Sequence, residues 1–301
     1  MSIEIKIKRI DWRNWGDIKS QWISNLPIID PPGEPPILEV CELIGIEDLT
    51  EKIPKDGELH DVFEDLREAI FREAIFLLHK SISVTLTPEF CIMKGIKTWS
   101  ISASYHACLF AAKSILCFLG ITLPRINNVD YLFDIFPKPE KLSKSQLRKG
   151  RVPIQKMKFL KMFSLNHYKI WLLFQRAINV SNVECWNENL VNYLKNLEPS
   201  EFALQRNILH YKNNSWFLDD LFAPVFDEKF AKCERVDKIF NEYSSQSNFD
   251  FTIILSFLLL NMSYSLLEDI ANDAPILLEE FNLIKNNLNN TSYALYNTLI
   301  S

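Results

Sequence analysis

The stretch from Thr98 to Leu119 constrains the fold most. Alanine recurs there at Ala103, Ala107 and Ala111, and Tyr105, Leu109, Ala112, Leu116 and Leu119 form an adjoining apolar stripe. Residues four apart share one side of an α-helix, so this pattern predicts a single helix with a small face, which a neighbouring helix can approach closely, and a large face for a core. Gly120 can take the left-handed conformation of a helix C-cap, and Pro124 prevents the helix from resuming.

Other segments read in the same way. Asp61 and Glu64 form a start like a capping box, followed by a stripe of Phe63, Leu66, Ile70, Ala74 and Leu77, with Glu68 and Arg72 paired four apart on the polar face. Met157 to Val180 is apolar nearly all round and predicts a deeply buried helix. Ser181 or Asn182 is expected to cap the next one, which carries Val183, Trp186, Leu190, Leu194 and Leu197 until Pro199. A short helix follows Ser200 to about Tyr211, and two more helices lie beyond a polar linker from Ser244 to Asn248. At the N-terminus, Ile3, Ile5 and Ile7 alternate with charged residues, the period of a half-buried strand, with Ile82, Val84 and Leu86 as its companion. The prolines from Leu26 to Pro36 exclude helix there, and Trp12, Trp15 and Trp22 are expected to anchor this arm by burial.

Seven glycines in 301 residues, with 48% apolar residues, favour helices over a turn-rich β architecture. The expected fold is mainly α: a helical bundle with a small β-containing N-terminal arm. Its expected domains are an irregular arm over 1–56, a bundle over 57–215 with a basic, Pro-punctuated insertion over 124–156, and a C-terminal helical extension over 216–301. The six cysteines, Cys41, Cys91, Cys108, Cys117, Cys185 and Cys233, form no Cys-x-x-Cys pair and read as reduced and structural. With no signal peptide legible in the alternating Ile3–Ile10, a reducing cytoplasm is the expected compartment. Phe249 to Leu267 approaches the length of a membrane span, but Asp250, Asn261 and Tyr264 interrupt it and no basic residues flank it, so a buried core helix is expected and no membrane partner.

The net charge of −5 conceals a local excess of cations. Lys138, Lys141, Lys144, Arg148, Lys149, Arg151, Lys156, Lys158, Lys161 and Lys169 face only Glu140 within the same stretch. Such a run is a solvated surface or a phosphate-backbone track, and the RNA-binding candidates are Lys144, Arg148, Lys149, Arg151, Lys156 and Lys158. No His-Glu-x-x-His pattern, Cys/His ligand spacing, Gly-rich phosphate loop or Gly-x-Ser-x-Gly elbow occurs, so no metal site or cofactor is expected.

The pattern Ser-x-x-Tyr-His-Ala-x-x-x-Ala-Ala-Lys-x-x-Leu, Ser102 to Leu116, resembles the core helix of the HEPN superfamily. Members of that superfamily are small helical bundles, many of them metal-independent ribonucleases of defence and toxin–antitoxin systems, others nucleotide-binding or structural modules. Gln205-Arg206-Asn207-Ile208-Leu209-His210 resembles the family's signature of an arginine, a polar residue and a later histidine, with three residues between Arg206 and His210 where the family usually leaves four to six. On a helix these two side chains lie about 40° apart and one turn distant, within reach of a single phosphate.

The resemblance implies cleavage of RNA by its own 2′-hydroxyl, with His210 moving the proton, Arg206 stabilising phosphoryl charge and Asn207 beside them. It also implies a homodimer in which two such motifs meet, and an antitoxin or defence-system partner protein. Read from the residues alone, Arg206 and His210 are catalytic, structural or incidental. Arg72 and His79 have a spacing nearer the family's but precede the alanine-rich helix. His106 is expected to pack with a hydrogen bond. The alternative to an RNA effector is a non-catalytic helical interaction or nucleotide-binding module.

Overall fold

The computed structural model describes residues 3–11, 13–24, 57–59, 64–93, 97–126, 128–137, 142–150, 157–202, 207, 248–277, 279, 282–283 and 286. Among them the chain is mainly α-helical. In order they form α1 (Ile3–Ile7), β1 (Arg13–Asn14), α2 (Trp15–Ser24), β2 (Gly57–Leu59), α3 (Glu64–Met93), α4 (Lys97–Phe118), β3 (Ile121–Thr122), β4 (Arg125–Ile126) and β5 (Val129–Asp134). Then come α5 (Lys144–Arg148), β6 (Met157–Phe163), α6 (His167–Val180), β7 (Ser181–Asn182), α7 (Glu188–Asn196), α8 (Asn248–Asp273) and a 3-10 turn at Pro275–Leu277. Contacts divide the chain into two compact units, Met1–Ala74 with Leu116–Val183, and Ile75–Ile115 with Glu184–Ser301.

The first unit is built on a five-stranded antiparallel sheet in the order β2-β6-β5-β3, with β4 also paired to β5. Asn128, at φ 60, carries the β4–β5 hairpin through a left-handed turn that asparagine tolerates well. The sheet therefore takes residues 125–126 and 129–134 from the stretch expected to be a loop. It also takes Met157–Phe163 out of the helix expected over Met157–Val180. Met157, Phe159, Leu160 and Met162 are buried as strand residues, and Asn166 starts α6 by accepting from the Lys169 amide. Gly120 ends α4 at φ +79, as expected, and a Cβ there would lie 2.4 Å from Phe136 Cδ2.

Aromatic packing supplies this unit's core. Trp22 packs on Phe71 and edge-on to Phe136, with ring centroids 5.1 and 4.7 Å apart, and its indole N–H donates to the Phe118 carbonyl at 2.7 Å. Trp15 and Trp22 are both buried, as expected of the arm's anchors; Trp12 and residues 26–36 lie outside the described residues.

The N-terminus itself is not a strand. Ile3–Ile7 is helical, and burial of Lys6, Ile7 and Ile10 beside exposed Ile5 follows a helical period. Its proposed companion, Ile82 to Leu86, lies within α3, where Thr85 Oγ1 donates to the Ser81 carbonyl at 2.6 Å. The expected stripe of Leu66, Ile70, Ala74 and Leu77 is buried, and Arg72 pairs with Glu68 at 3.0 Å, although Arg72 is buried and not on an open polar face.

In the second unit, small and hydroxylated side chains join the rest of α3 and α4 to one another and to α8. Ala107, Ala111, Ser81, Ser104, Ser114, Ser256 and Ser263 are fully buried. Ser81 Oγ donates to the Ala107 carbonyl at 3.0 Å, joining α3 to α4, and Ser263 Oγ donates to Ser114 Oγ at 2.7 Å, joining α8 to α4. The small face of α4 thus serves close helix approach, with Ser114 bonded across the gap to Ser263, while Ser104 Oγ is buried without a hydrogen-bond partner among the described residues.

The cap of α7 is Asn187, whose side chain accepts from the Leu190 amide, and not Ser181 or Asn182, which pair as β7 with β1. Val183 and Trp186 are nevertheless buried, the latter through an indole donation to the Met262 carbonyl at 3.0 Å. The segments Trp99–Phe118 and Thr252–Asp273 are long and apolar enough to cross a membrane by length and composition, and 78% of each one's apolar window is buried inside the structure.

Candidate functional site

Of the residues singled out for chemistry, Arg206 and His210 lie outside the described residues. Asn207 is helical and exposed. Pro199 to Phe202 is also helical, so the described neighbours of the motif adopt the conformation expected for it. His106, on α4, is half-buried and its Nδ1–H donates to the Ser102 carbonyl at 2.8 Å, the packing role expected of it.

The basic run divides into two groups with different work. Lys144, Arg148 and Lys149 belong to α5 and its C-terminal turn, all exposed. The helix has only five residues but is held at both ends. At its start Ser143 Oγ accepts from the Gln146 amide at 3.4 Å, while Gln146 Oε1 accepts from the Ser143 amide at 2.8 Å, a reciprocal box that satisfies two donors of the first turn. At its end the Lys149 amide donates to the Ser145 carbonyl at 3.2 Å, and Gly150 leaves the helix at φ +74.

Lys144 and Arg148, four residues apart, project from one side of this turn. None of the three cations forms an ion pair with another described residue, and Leu147 between them is 53% exposed. Capping fixes the backbone of this turn, so a polyanion would have to order only the side chains, and each phosphate contact would release counterions.

The second group sits on the sheet and at the start of α6. Lys158, on β6, is ion-paired with Asp11 at 2.8 Å, and Lys169 Nζ donates to the Ser164 carbonyl at 2.6 Å. Arg151 and Lys156 lie outside the described residues.

The N-terminal segment makes further polar contacts here. Lys6 Nζ donates to the Lys161 carbonyl at 2.6 Å, and Arg176 donates to the Ile10 carbonyl at 2.8 Å. Arg13 grips both oxygens of Asp134, at 3.1 and 2.7 Å, and donates to the Leu119 carbonyl at 2.8 Å. Asp134 Oδ1 also accepts from the Phe136 amide, so this buried pair is tied into the backbone on both sides.

Sequence reasoning overlooked both the capping box and Asp11. The box had a legible signal in Ser143-Lys144-Ser145-Gln146, the Ser-x-x-Gln pattern of a helix start. Asp11 had none, because its partner lies 147 residues away. Burial pushes the Cys108 thiol far above its ordinary 9.0, and Cys117 is also buried, so these two behave as small apolar groups; Cys185 is exposed. Cys41 and Cys233 lie outside the described residues. Among the described residues no group of three or more His, Cys, Asp or Glu side chains is placed to hold a metal ion. No family model, curated protein or solved structure matches the chain.

Proposed function

We propose that this chain is an RNA-binding effector, HEPN-like in its central part, that cleaves RNA without a metal as a cytoplasmic component of a prokaryotic defence or toxin–antitoxin system. The observation that carries the RNA reading is the capped turn presenting Lys144, Arg148 and Lys149 to solvent with no acidic partner among the described residues. A polyanion is the ligand such a turn fits best, and the overall charge of −5 means that it is held locally and not by the protein as a whole.

In the cleavage step, His210 takes the proton from a ribose 2′-hydroxyl. The 2′-oxygen then attacks phosphorus, the bond from phosphorus to the 5′-oxygen breaks, and the departing oxygen takes a proton from water, leaving a 2′,3′-cyclic phosphate and a free 5′-hydroxyl. Arg206 holds the phosphoryl oxygens as their charge rises, and Asn207 orients the same group. A homodimer would bring two such motifs to one strand.

Mixed RNA incubated with the protein in EDTA tests the activity. Cleavage is expected, reduced at least 100-fold in both Arg206→Ala and His210→Ala, the range typical for loss of an acid–base or charge-stabilising group. Intact RNA, or cleavage that survives both substitutions, contradicts the enzyme and leaves a non-catalytic helical module.

A further inference from the structure

Asp11 follows a turn at the end of α1 and is fixed from both sides. The neighbouring Ile10 is buried and its carbonyl accepts from Arg176, while Arg13, two residues later, is locked in its buried pair with Asp134. The backbone thus delivers the Asp11 carboxylate to one place, 2.8 Å from the Lys158 ammonium. That ion pair is open to solvent: the Asp11 side chain is 46% exposed and that of Lys158 is 27% exposed. An exposed pair of this kind contributes little to the fold and is easily displaced by another anion.

Lys158 therefore differs from Lys144, Arg148 and Lys149. It carries the same charge, but a carboxylate of the same chain already stands where a phosphate oxygen would sit.

We infer that Asp11 is a built-in competitor for RNA phosphate at Lys158, an autoinhibitory contact that keeps the sheet end of the basic run occupied until a polyanion displaces it. The inference rests on the RNA reading above and adds to it a cation held in reserve. Its energetic logic is exchange: an incoming phosphate gains Lys158 only at the cost of the Asp11 contact, so the wild-type chain realises little of that cation's binding.

Removing the competitor separates the two claims. Binding of a mixed-sequence single-stranded RNA is measured across a salt titration for wild type, Asp11→Asn, Asp17→Asn and Asp11→Asn/Lys158→Gln. Asp17 is exposed, lies in the first turn of α2 and carries the same charge, so its variant controls for the change in net charge.

Asp11→Asn is expected to tighten binding about two- to fivefold at low salt relative to Asp17→Asn, and to steepen the logarithmic salt slope by about 0.7, one phosphate contact. The double variant is expected to lose both gains. Wild-type binding with Asp11→Asn no different from Asp17→Asn overturns the competitor and leaves the RNA reading standing. Gains that persist in the double variant also overturn it. A wild type that binds no RNA even at low salt overturns the RNA reading as well.

Discussion

Arg13 shows how a single residue in the N-terminal segment controls more than its neighbourhood. Its guanidinium is buried with the Asp134 carboxylate and donates to a carbonyl at the end of α4. Arg13→Met would leave that carboxylate buried and uncompensated, and is expected to cost about 3–5 kcal/mol in urea denaturation. Arg13→Met/Asp134→Leu should recover part of this loss but remain about 1–3 kcal/mol below wild type, because the Phe136 amide loses its acceptor. A double variant no better than the single would show that the pair matters for shape and not for charge. Gly120 has a comparable constraint: at φ +79, with Phe136 Cδ2 2.4 Å from an added Cβ, Gly120→Ala should destabilise by about 1–3 kcal/mol in the same assay.

At the scale of elements, long periodic helices were legible and short apolar runs were not. α4 follows its alanine and leucine pattern closely, and Gly120 ends it as predicted. Met157–Val180 misled because a strand buried on both faces and a buried helix are both nearly continuous apolar runs, and the only break is the Ser164-Leu165-Asn166 turn. The Ile3–Ile7 alternation failed for the opposite reason. A buried lysine ordinarily argues against a helix's inner face, yet Lys6 is satisfied there by the Lys161 carbonyl across the chain, a partner no local pattern discloses.

The basic run shows the same division. Its composition marked a local excess of cations, whereas which of them were already occupied depended on tertiary partners. The capped turn around α5 gives an element-scale test: Ser143→Ala should cost about 1 kcal/mol of local stability, read as faster amide exchange at Gln146 with global stability unchanged. Equal exchange in the two proteins would show that the turn is held by something other than its cap.

For the whole molecule, burial sets an alkaline limit. Desolvation raises Tyr131, Tyr193 and Tyr264 above their ordinary 10.0, with Glu201 adding to the effect at Tyr193 and Glu268 at Tyr264, and it raises Cys108 above 9.0. The unfolded chain gives up these protons first. Their contribution to stability is therefore complete below about pH 9 and is lost as pH rises through the folded values, so unfolding free energy should fall with pH from about 9 upward. Tyr264→Phe should flatten that decline, and an identical slope in the variant would contradict the assignment.

The proposed function turns on this acidic protein taking hold of RNA through one capped basic turn. The most direct measurement is RNA affinity as a function of salt for wild type and Lys144→Gln/Arg148→Gln/Lys149→Gln. Affinity in the wild type should fall steeply with salt, and the triple variant should bind more weakly with a logarithmic slope shallower by about 2, three phosphate contacts at about 0.7 each. A wild-type affinity indifferent to salt, or a triple variant that matches it in strength and slope, would contradict the account.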